Sequence, residues 1–515
     1  MTFQNMTVFR AALALLLCLP TGTVLAFGFQ DVVEKAKERS ASGWSAPDSV
    51  PRFMRDISRD AYRGIRFKNE RSIWHESNSQ FQVRLLPAGN VFEHPVRLHT
   101  VDSDGAHPVP FRKTDYEFTD VELERRIPAD LGHAGFELTW PAADGEQNRQ
   151  VIVSFAGASA FHANTSDRSG GSSARGIAID TGLMSGEEFP AFTDFWLERP
   201  APDAHAMKFH ALLDGPSLTG AYQFTLHPGD PTRMQVEAVL FPREEIAQLG
   251  VAPLSAMFFY GENTARPAGH WRPEVHDADG LLVHDGGSDE WIWRPLINPS
   301  ALQIDSFHTG QVRGFGLFQR DSDFDHYQDL SAAYEQRDSA WIEPQGDWGN
   351  GRVMLVQLPT PDATNDNAIA FWTPDEPPEP GQPLRLSYQI HFGSPEVASN
   401  PLARTVNTFV GDGGMSSGAA GTVRFHIDFV GGPLEKMSPQ AAVTADVSAD
   451  SEGEIVEHFV EYHPAIGGWR LSVLARPAQN HPLVVRAHLR ESDERVSETW
   501  SYVLPAKNDI VHNAR

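Results

Sequence analysis

Cysteine is almost absent from this chain of 515 residues. The single cysteine, Cys18, lies in an N-terminal segment whose composition predicts its removal on export. The mature chain is therefore expected to have no disulfide, no cysteine nucleophile and no thiolate metal ligand. A chain of this length can bury enough apolar surface to fold without such crosslinks.

Basic residues are scarce relative to acidic ones. The 42 lysines and arginines stand against 68 aspartates and glutamates, which gives a formal net charge of −26. A field of this sign repels nucleic acid and acidic lipid headgroups, so neither is an expected partner. A neutral ligand such as a sugar chain is compatible with it.

The N-terminal apolar run, residues 11–19, is too short to span a bilayer. It follows a single basic residue, Arg10, and precedes a Val-Leu-Ala triplet at 24–26, where signal peptidase accepts small or apolar residues. These features predict a cleaved Sec-type secretory signal over residues 1–26, with an uncleaved anchor as the alternative. No twin arginine precedes the apolar run, so export in the unfolded state is expected.

Strand signals dominate the rest of the chain. The 42 glycines and 37 prolines favour turns, and apolar residues alternate with polar ones in residues 81–85, 236–239 and 384–392. Helical stretches are few: residues 29–40 predict an amphipathic helix, and residues 328–337 are a candidate for another. No internal repeat is visible, which argues against a propeller or a solenoid. The sequence therefore predicts an all-β fold of the sandwich or barrel kind.

Two punctuated regions interrupt the strand pattern. Residues 373–383 are rich in proline and acid, and residues 395–421 are rich in glycine, so both are expected to lack regular structure. Beyond them, alternation in residues 423–429 and 483–489 predicts a small antiparallel sandwich of immunoglobulin-like size. The pattern leaves open to which side the strand at 384–392 belongs.

Two familiar catalytic patterns are weak or absent. The 21 histidines form no H-E-x-x-H motif and share no helix face at ligand spacing, so no metal site is expected. The string G-M-S-S-G at 414–418 matches the G-x-S-x-G motif of esterases. It lacks the preceding strand and following helix that this motif requires, so we interpret it as a flexible spacer.

Aromatic and acidic side chains are interleaved between residues 260 and 372, where half of the 12 tryptophans occur. Sugars stack their C–H faces on aromatic rings and pair their hydroxyls with carboxylates, so this composition predicts a glycan-binding cleft. The alternative, buried tryptophans with solvated acidic turns, fits the composition equally well. The candidate sugar-binding side chains are Trp271, Trp291, Trp293, Trp348, Tyr327 and Asp347.

Cleavage of a glycosidic bond requires two carboxyl groups, one protonated and one ionised. Asp366 lies between two asparagines at the start of a predicted strand, where burial beside tryptophan would raise its pKa and suit it to the acid role. Asp277 lies in the turn-like sequence VHDADG. Spacing alone does not fix this pair, because many other acids occur nearby and Asp366 could equally cap its own turn.

Six stretches of the sequence are long and specific. They are residues 61–67 (AYRGIRF), 271–286 (WRPEVHDADGLLVHDG), 290–299 (EWIWRPLINP), 314–329 (GFGLFQRDSDFDHYQD), 341–360 (WIEPQGDWGNGRVMLVQLPT) and 365–372 (NDNAIAFW). With them the chain resembles the osmoregulated periplasmic glucans biosynthesis proteins, and the similarity extends over essentially the whole mature chain. The missing twin arginine favours the G type of that family over the D type.

The resemblance implies an all-β architecture of two units. A large N-terminal β-sandwich of the galactose-mutarotase-like kind is expected over residues 27–393, a linker over 394–402 and a small C-terminal immunoglobulin-like sandwich over 403–515. Family members act in the periplasm on β-1,2-linked glucan made by a membrane glucosyltransferase, which is a candidate partner. Neither a cofactor nor a metal is implied.

The family is also similar to inverting glycoside hydrolases that cleave β-1,2-glucan. This implies Asp366 as the general acid, because its TNDN context matches the family motif, and Asp277 as the general base, with Asp279 as competitor. Ala363 stands where many relatives carry a glutamate, so any role of that carboxylate is absent here. Two hypotheses follow: hydrolytic trimming of the glucan backbone, or non-catalytic glucan binding that assists export or branching.

Overall fold

Strands dominate the protein, which confirms the predicted all-β fold class. The computed structural model describes residues 27–77, 79–142, 145–165, 168, 170–414, 421–450, 453–478 and 481–506. The predicted signal segment and most of the G-M-S-S-G string lie outside the described residues. The α-helices among the described residues are Phe29–Ser40, Arg52–Arg55, Arg59–Arg63 and Val121–Arg126. None of these combines the length and apolarity needed to cross a membrane.

A ten-stranded antiparallel sheet, sheet 1, forms one layer of the fold. Its strands follow in the order Gln82–Pro87, His133–Ala142, Gly145–Ala156, Ala160–Ala163, Ser173–Arg175, Leu249–Ala256, Ala368–Pro374, Gly351–Gln357 and Gln303–Thr309. The strand Ile177–Ile179 pairs with Leu249–Ala256 beside this path. Antiparallel sheets can bury one face and leave the other to solvent, so sheet 1 can carry polar groups on its outer face.

A fifteen-stranded sheet, sheet 2, forms the second layer. Its strands follow in the order Val443–Ala449, Leu483–Glu491, Thr499–Leu504, Glu290–Pro295, Gly280–Asp285, Val312–Phe318, Ser339–Pro344, Leu384–Gly393, Thr232–Pro242, Leu218–His227, Met207–Asp214, Ala191–Glu198, Arg97–Asp102 and Gly105–Pro108, with Glu494–Arg495 paired to Leu483–Glu491. Sheet 3 has the order Arg404–Asp412, Val423–Val430, Gly468–Pro477 and Gly453–His463. Two short pairs join Ile65–Phe67 to Tyr116–Phe118 and Phe258–Tyr260 to Val275–His276.

Phenylalanines fill the space between sheets 1 and 2. Phe136 and Phe155 of sheet 1 meet Phe209 and Phe224 of sheet 2, and all four side chains are buried. The ring centroid of Phe155 lies 5.4 Å from that of Phe209 and 5.2 Å from that of Phe224, in edge-to-face contacts. Such contacts add to the free energy that large rings gain by leaving water. Sheets 1 and 2 are thus the two layers of one sandwich.

Strand alternation determines what the outer face of sheet 1 presents. Phe161 and Ala174 are buried in the core. Their sequence neighbours His162 and Ser173 therefore project from the opposite face, because successive side chains of a strand alternate. Ser255 pairs directly with Ser173 in the adjacent strand and shares that face. The centre of the outer face is consequently polar.

The C-terminal strands enclose a second core. Sheet 3 packs against the end of sheet 2 that contains Val443–Ala449, Leu483–Glu491 and Thr499–Leu504. Phe425 of sheet 3 and Trp500 of sheet 2 are buried there, with ring centroids 5.5 Å apart. Burial of apolar side chains stabilises this smaller sandwich.

The C-terminal strands are joined to the rest of the protein by strand pairing and by a buried ion pair. Thr499–Leu504 pairs in parallel with Glu290–Pro295, so sheet 2 runs through both parts. Arg320 donates two hydrogen bonds to Glu498, with Nη1–Oε1 at 2.5 Å and Nη2–Oε2 at 3.0 Å. Both side chains are buried, and the Arg320 guanidinium also stacks over Trp293 at 3.6 Å. The division at residues 394–402 stays a prediction.

Two expectations about local structure are wrong. Residues 395–421 were expected to lack regular structure, yet they contain the strand Arg404–Asp412, which pairs with Val423–Val430. The helix candidate at 328–337 forms turns, because the Asp329 side chain accepts hydrogen bonds from the next backbone N–H groups and Ala333 has a φ of 47°. The left-handed backbone of Ala333 interrupts an α-helix, and the regular structure that forms in this segment is the short 3₁₀ helix Tyr334–Gln336.

Other local expectations agree with the structure. The predicted helix at 29–40 is found as Phe29–Ser40, with its buried stripe packed on sheet 2. The strand predicted at 384–392 is found as Leu384–Gly393. That strand pairs on both sides within sheet 2, which places it with the larger sandwich.

Replacing Arg320 with methionine is expected to lower the free energy of unfolding by about 3–5 kcal/mol, because Glu498 stays buried without its partner. The matched control is Arg313→Met, since Arg313 pairs with Asp289 at the exposed surface. That change should cost less than about 1 kcal/mol. Urea unfolding of both variants measures the difference, and equal loss would contradict the role of the buried pair.

Candidate functional site

One extended segment between two strands positions both predicted catalytic aspartates. The carbonyl oxygen of Ala256 accepts a hydrogen bond from the backbone N–H of Asn367, next to Asp366, at 3.1 Å. The carbonyl oxygen of Met257 accepts one from the backbone N–H of Asp277 at 2.8 Å. Consecutive carbonyls of an extended chain point to opposite sides. The chains that carry Asp366 and Asp277 therefore flank this segment, roughly 10 Å apart at two strand spacings.

The carboxyl of Asp366 is accessible to solvent and still surrounded by protein. The residue is exposed, yet burial among neighbouring atoms raises its pKa. A recessed position in the surface accounts for both observations. Ser173 Oγ donates a hydrogen bond to Asp366 Oδ2 at 3.0 Å, and the charges of Arg175 and His162 oppose the rise in pKa. Such a carboxyl can hold a proton and also meet a ligand.

Asp277 forms an ion pair with an arginine. The Nε atom of Arg337 lies 2.9 Å from Asp277 Oδ1. Burial raises the pKa of Asp277 to about 6, the Arg337 guanidinium opposes that rise, and the negative charge of Asp366 adds to it. The charge of Asp366 thus acts on the ionisation of Asp277. Gly170 leaves space for the guanidinium, since a Cβ atom there would collide with Arg337 Nη1.

Asp279, the competitor for the base, is engaged in structural bonds. Its Oδ2 accepts hydrogen bonds from the backbone N–H groups of Arg320 and Asp321 at 2.9 and 3.0 Å. Burial raises the pKa of Asp279 to about 6, and the charges of His276 and Arg320 oppose that rise. These bonds fix the backbone at Arg320 and Asp321, so the role of Asp279 is structural. Asp277 is therefore the stronger candidate for the base.

Two of the predicted sugar-binding tryptophans are buried. Trp291 stacks on His284 with ring centroids 4.0 Å apart, and Trp293 lies beneath the Arg320 guanidinium. Their side chains are only 7% and 3% exposed, in the core under the C-terminal strands. Neither ring has a face open to a sugar. The physical reason is that this end of sheet 2 is covered on both sides, so alternation does not bring either ring to the surface.

Asp347 and Trp348 lie far from Asp366. The strand Gly351–Gln357 begins close to them and ends beside the chain of Asp366, and its length separates the two places by roughly 20 Å. Trp348 is half-buried and donates a hydrogen bond from Nε1 to the carbonyl oxygen of Ser387 at 3.2 Å. The structure therefore does not bring these two residues to the aspartate pair.

Trp271 is an exposed aromatic residue six residues before Asp277 in the chain. Its side chain is 59% exposed, and the Arg272 guanidinium lies 4.4 Å from its ring centroid. Tyr334, whose pKa burial raises, is influenced by the charges of both Asp277 and Arg272. Trp271 precedes Asp277 by six residues in the chain, and its exposed ring can stack on a sugar.

Tyr327 is fully buried and supports the chain that carries Asp277. Its hydroxyl lies 3.4 Å from His276 Nε2 and accepts a hydrogen bond from Gln319 Nε2 at 2.8 Å. Although burial lowers the pKa of His276, its hydrogen bond to Glu274 and nearby acidic charges raise that pKa to about 9. Tyr327 has no surface left for a sugar, so its contribution is to position its neighbours.

Three side chains of the site were missed by the sequence analysis. Ser173 and Arg175 come from a three-residue strand, and Arg337 comes from a loop. All three are more than 50 residues from the aspartate that they contact or influence. The only local signal is the polar alternation around buried Ala174, which also occurs in many strands without function.

A group of potential metal ligands lies near the site. Atoms of Glu274, Asp321 and His326 come within 4.8 Å of one another. Glu274 is already bonded to His276 at 3.0 Å, and Asp321 to His326 at 2.7 Å. These pairs account for the cluster as a hydrogen-bond network, and the expectation of no metal stays a prediction.

The fold and the site define an all-β protein with two interacting carboxyl groups beside the outer face of a sandwich sheet. The family model described as "Periplasmic glucan biosynthesis protein, MdoG" matches residues 27–504. Glucans biosynthesis protein G of Ralstonia nicotianae is 41% identical over 503 residues, which cover 96% of this chain and 99% of that protein. The protein of the same name from Sodalis glossinidius is 40% identical over 490 residues, which cover 93% and 94%. The chain therefore belongs to this family of periplasmic glucan biosynthesis proteins, which confirms the resemblance seen in the sequence.

Ser173→Ala is expected to raise the pKa of Asp366, because it removes a hydrogen bond that stabilises the ionised carboxylate. Carbon-13 NMR titration of labelled aspartate carboxyls measures this pKa, with the resonance assigned by its loss in Asp366→Asn. Ser154→Ala, a change two strands away on the same face, is the control. An unchanged titration in Ser173→Ala would contradict the contact.

Proposed function

We propose that this protein is an inverting glycoside hydrolase that trims the backbone of a β-1,2-linked glucan in the periplasm. The observation that carries the proposal is the pair of interacting carboxyls, one held by an arginine and one desolvated in an open position. Membership in a family of periplasmic glucan biosynthesis proteins supports a glucan as ligand. The resemblance of the sequence stretches supports the β-1,2 linkage.

Asp366 is the general acid of the proposed reaction. In its protonated form it donates its proton to the glycosidic oxygen while the bond from that oxygen to C1 breaks. Burial raises its pKa, which favours the protonated form that this role requires. Its exposed position leaves space for the departing sugar.

Asp277 is the general base. Its carboxylate takes a proton from a water molecule, directly or through a relay, and the water oxygen bonds to C1 from the opposite face, so the configuration inverts. Arg337 at 2.9 Å favours the ionised form. Inverting enzymes separate their carboxyl groups by roughly 6.5–9.5 Å. The carboxyl separation of Asp277 and Asp366 is therefore the distance that distinguishes an inverting from a retaining reaction here.

A neutral polymer suits the electrostatics of the whole chain. A glucan carries no charge and is not repelled by a protein of net charge −26. Trp271, six residues before Asp277 in the chain, supplies an exposed aromatic ring. Export through a Sec-type signal over residues 1–26 would bring the protein to the compartment where such a glucan is made, with a membrane glucosyltransferase as candidate partner.

Non-catalytic glucan binding is the second candidate function, and residue 363 favours it. Ala363 is exposed three residues before Asp366, so the carboxylate that the family resemblance implies at this position is missing. In that case the cleft holds nascent glucan for export or branching, and both aspartates only accept hydrogen bonds from sugar hydroxyls.

Incubation with linear β-1,2-glucan should release shorter oligosaccharides with an inverted anomeric centre. Asp366→Asn is expected to slow the release by about 10²–10⁴-fold, because an amide cannot donate the required proton. Asp347→Asn, beyond the far end of the strand Gly351–Gln357 and roughly 20 Å from Asp366, is the matched control and should keep the rate. Chromatography and NMR of the products measure chain length and configuration. Glucan that is bound without any change in length would favour the second candidate.

The rate should depend on pH as a bell-shaped curve, because Asp277 must be ionised while Asp366 stays protonated. The acidic limb is expected near pH 6, the value to which burial raises the pKa of Asp277. Arg337→Gln removes the cation that opposes this rise, so the limb should move to higher pH, and Arg337→Lys should largely restore it. An acidic limb that stays in place in Arg337→Gln would contradict Asp277 as the base.

A further inference from the structure

We propose that the glucan cleft continues past Asp366 into a second groove, where Phe189 and Trp44 bind a distal part of the same glucan chain. The inference rests on the proposed function, because its ligand is the glucan held at the aspartates. It assigns a role to two exposed aromatic residues that lie outside the catalytic pair.

Arg175 links the two regions. Its Nε donates a hydrogen bond to Ser255 Oγ at 3.2 Å, and its charge acts on Asp366. Ser173, which binds Asp366, lies two residues earlier on the same strand, about 7 Å away. On its other side, the Cζ atom of Arg175 lies 6.0 Å from the ring centroid of Phe189. Arg175 therefore lies between the proposed acid and Phe189.

The loop that carries Phe189 is anchored next to this surface. Glu187 accepts a hydrogen bond from Arg175 Nη1 at 2.9 Å. Glu188 accepts one from the backbone N–H of Ser217 at 3.1 Å, on the opposite sheet. Phe189 follows directly, and its side chain is 62% exposed. An exposed ring on a fixed backbone is pre-organised for binding, because little further order is lost when a ligand contacts it.

Phe189 borders a groove with a volume of about 860 Å³. Its walls include residues 44–48, 91–97 and 191–193. Trp44 lines the same groove and is 41% exposed. The volume is in the range of small-molecule and oligomer sites, and the two rings offer faces on which sugars can stack.

The arginines of the groove are already paired with acids. Arg97 donates two hydrogen bonds of 2.6 Å to Asp194. Arg39 lies 3.4 Å from Asp214. Because these guanidinium groups are neutralised within the protein, they provide little positive charge to bind a phosphate or an acidic peptide. A neutral sugar polymer that leaves the aspartate site along Arg175 is the ligand that fits.

Binding to the full chain carrying Asp366→Asn tests this extension without any need for cleavage. Calorimetry compares linear β-1,2-glucan polymer with a β-1,2-linked glucose disaccharide. The double variant Trp44→Ala and Phe189→Ala is expected to weaken polymer binding by about tenfold or more, because at least one good stacking contact is lost. Disaccharide binding should change by less than about twofold, equivalent to under 0.5 kcal/mol.

The matched control is Met184→Ala, a fully exposed apolar residue on the same loop that does not line the groove. It should leave polymer binding unchanged. Circular dichroism shows whether the double variant is folded. The variants Trp44→Ala and Phe189→Ala are also measured singly, so that polymer binding can still be compared if the double variant misfolds. Unchanged polymer binding in the ring variants would overturn the extension alone. Failure of the parent Asp366→Asn protein to bind polymer would overturn the proposed function and the extension together.

Discussion

The desolvation of two carboxyl groups at a fixed spacing is the constraint on which this site depends. The strand Leu249–Ala256 and the residues that follow it hold the chains of Asp366 and Asp277 on opposite sides. Those backbone bonds are rigid because the inner face of sheet 1 is packed on a phenylalanine-rich core.

Such a site lowers the stability of the protein at neutral pH. The pKa of Asp277 and of Asp279 is raised by burial to about 6 in the folded chain. A carboxyl with a raised folded-state pKa contributes stability at acidic pH and loses that contribution as the pH rises through about 6. The two hydrophobic cores offset this loss, and the Arg337 guanidinium reduces it for Asp277. Buried carboxyl groups at positions 277 and 279 therefore lower the stability of the folded chain at neutral pH, although the proposed function requires a carboxyl at position 277.

Local pattern was enough to predict much of the fold and the position of Asp366. Alternation predicted the strands, and helical periodicity predicted Phe29–Ser40 at its observed bounds. The same pattern could not separate core tryptophans such as Trp291 from surface ones such as Trp271, because both follow polar turns and acids in sequence. Nor could it reveal Arg337, whose contact with Asp277 depends on how distant loops meet in space.

The assignment of acid and base depends on how two arginines are partnered. Both aspartates have a raised pKa from burial, so burial alone does not distinguish them. Arg337 contacts Asp277 directly and favours its ionised form. Arg175 lies near Asp366, but Glu187 accepts its hydrogen bond at 2.9 Å and neutralises much of its charge. Glu187 thus offsets part of the charge by which Arg175 favours the ionised form of Asp366.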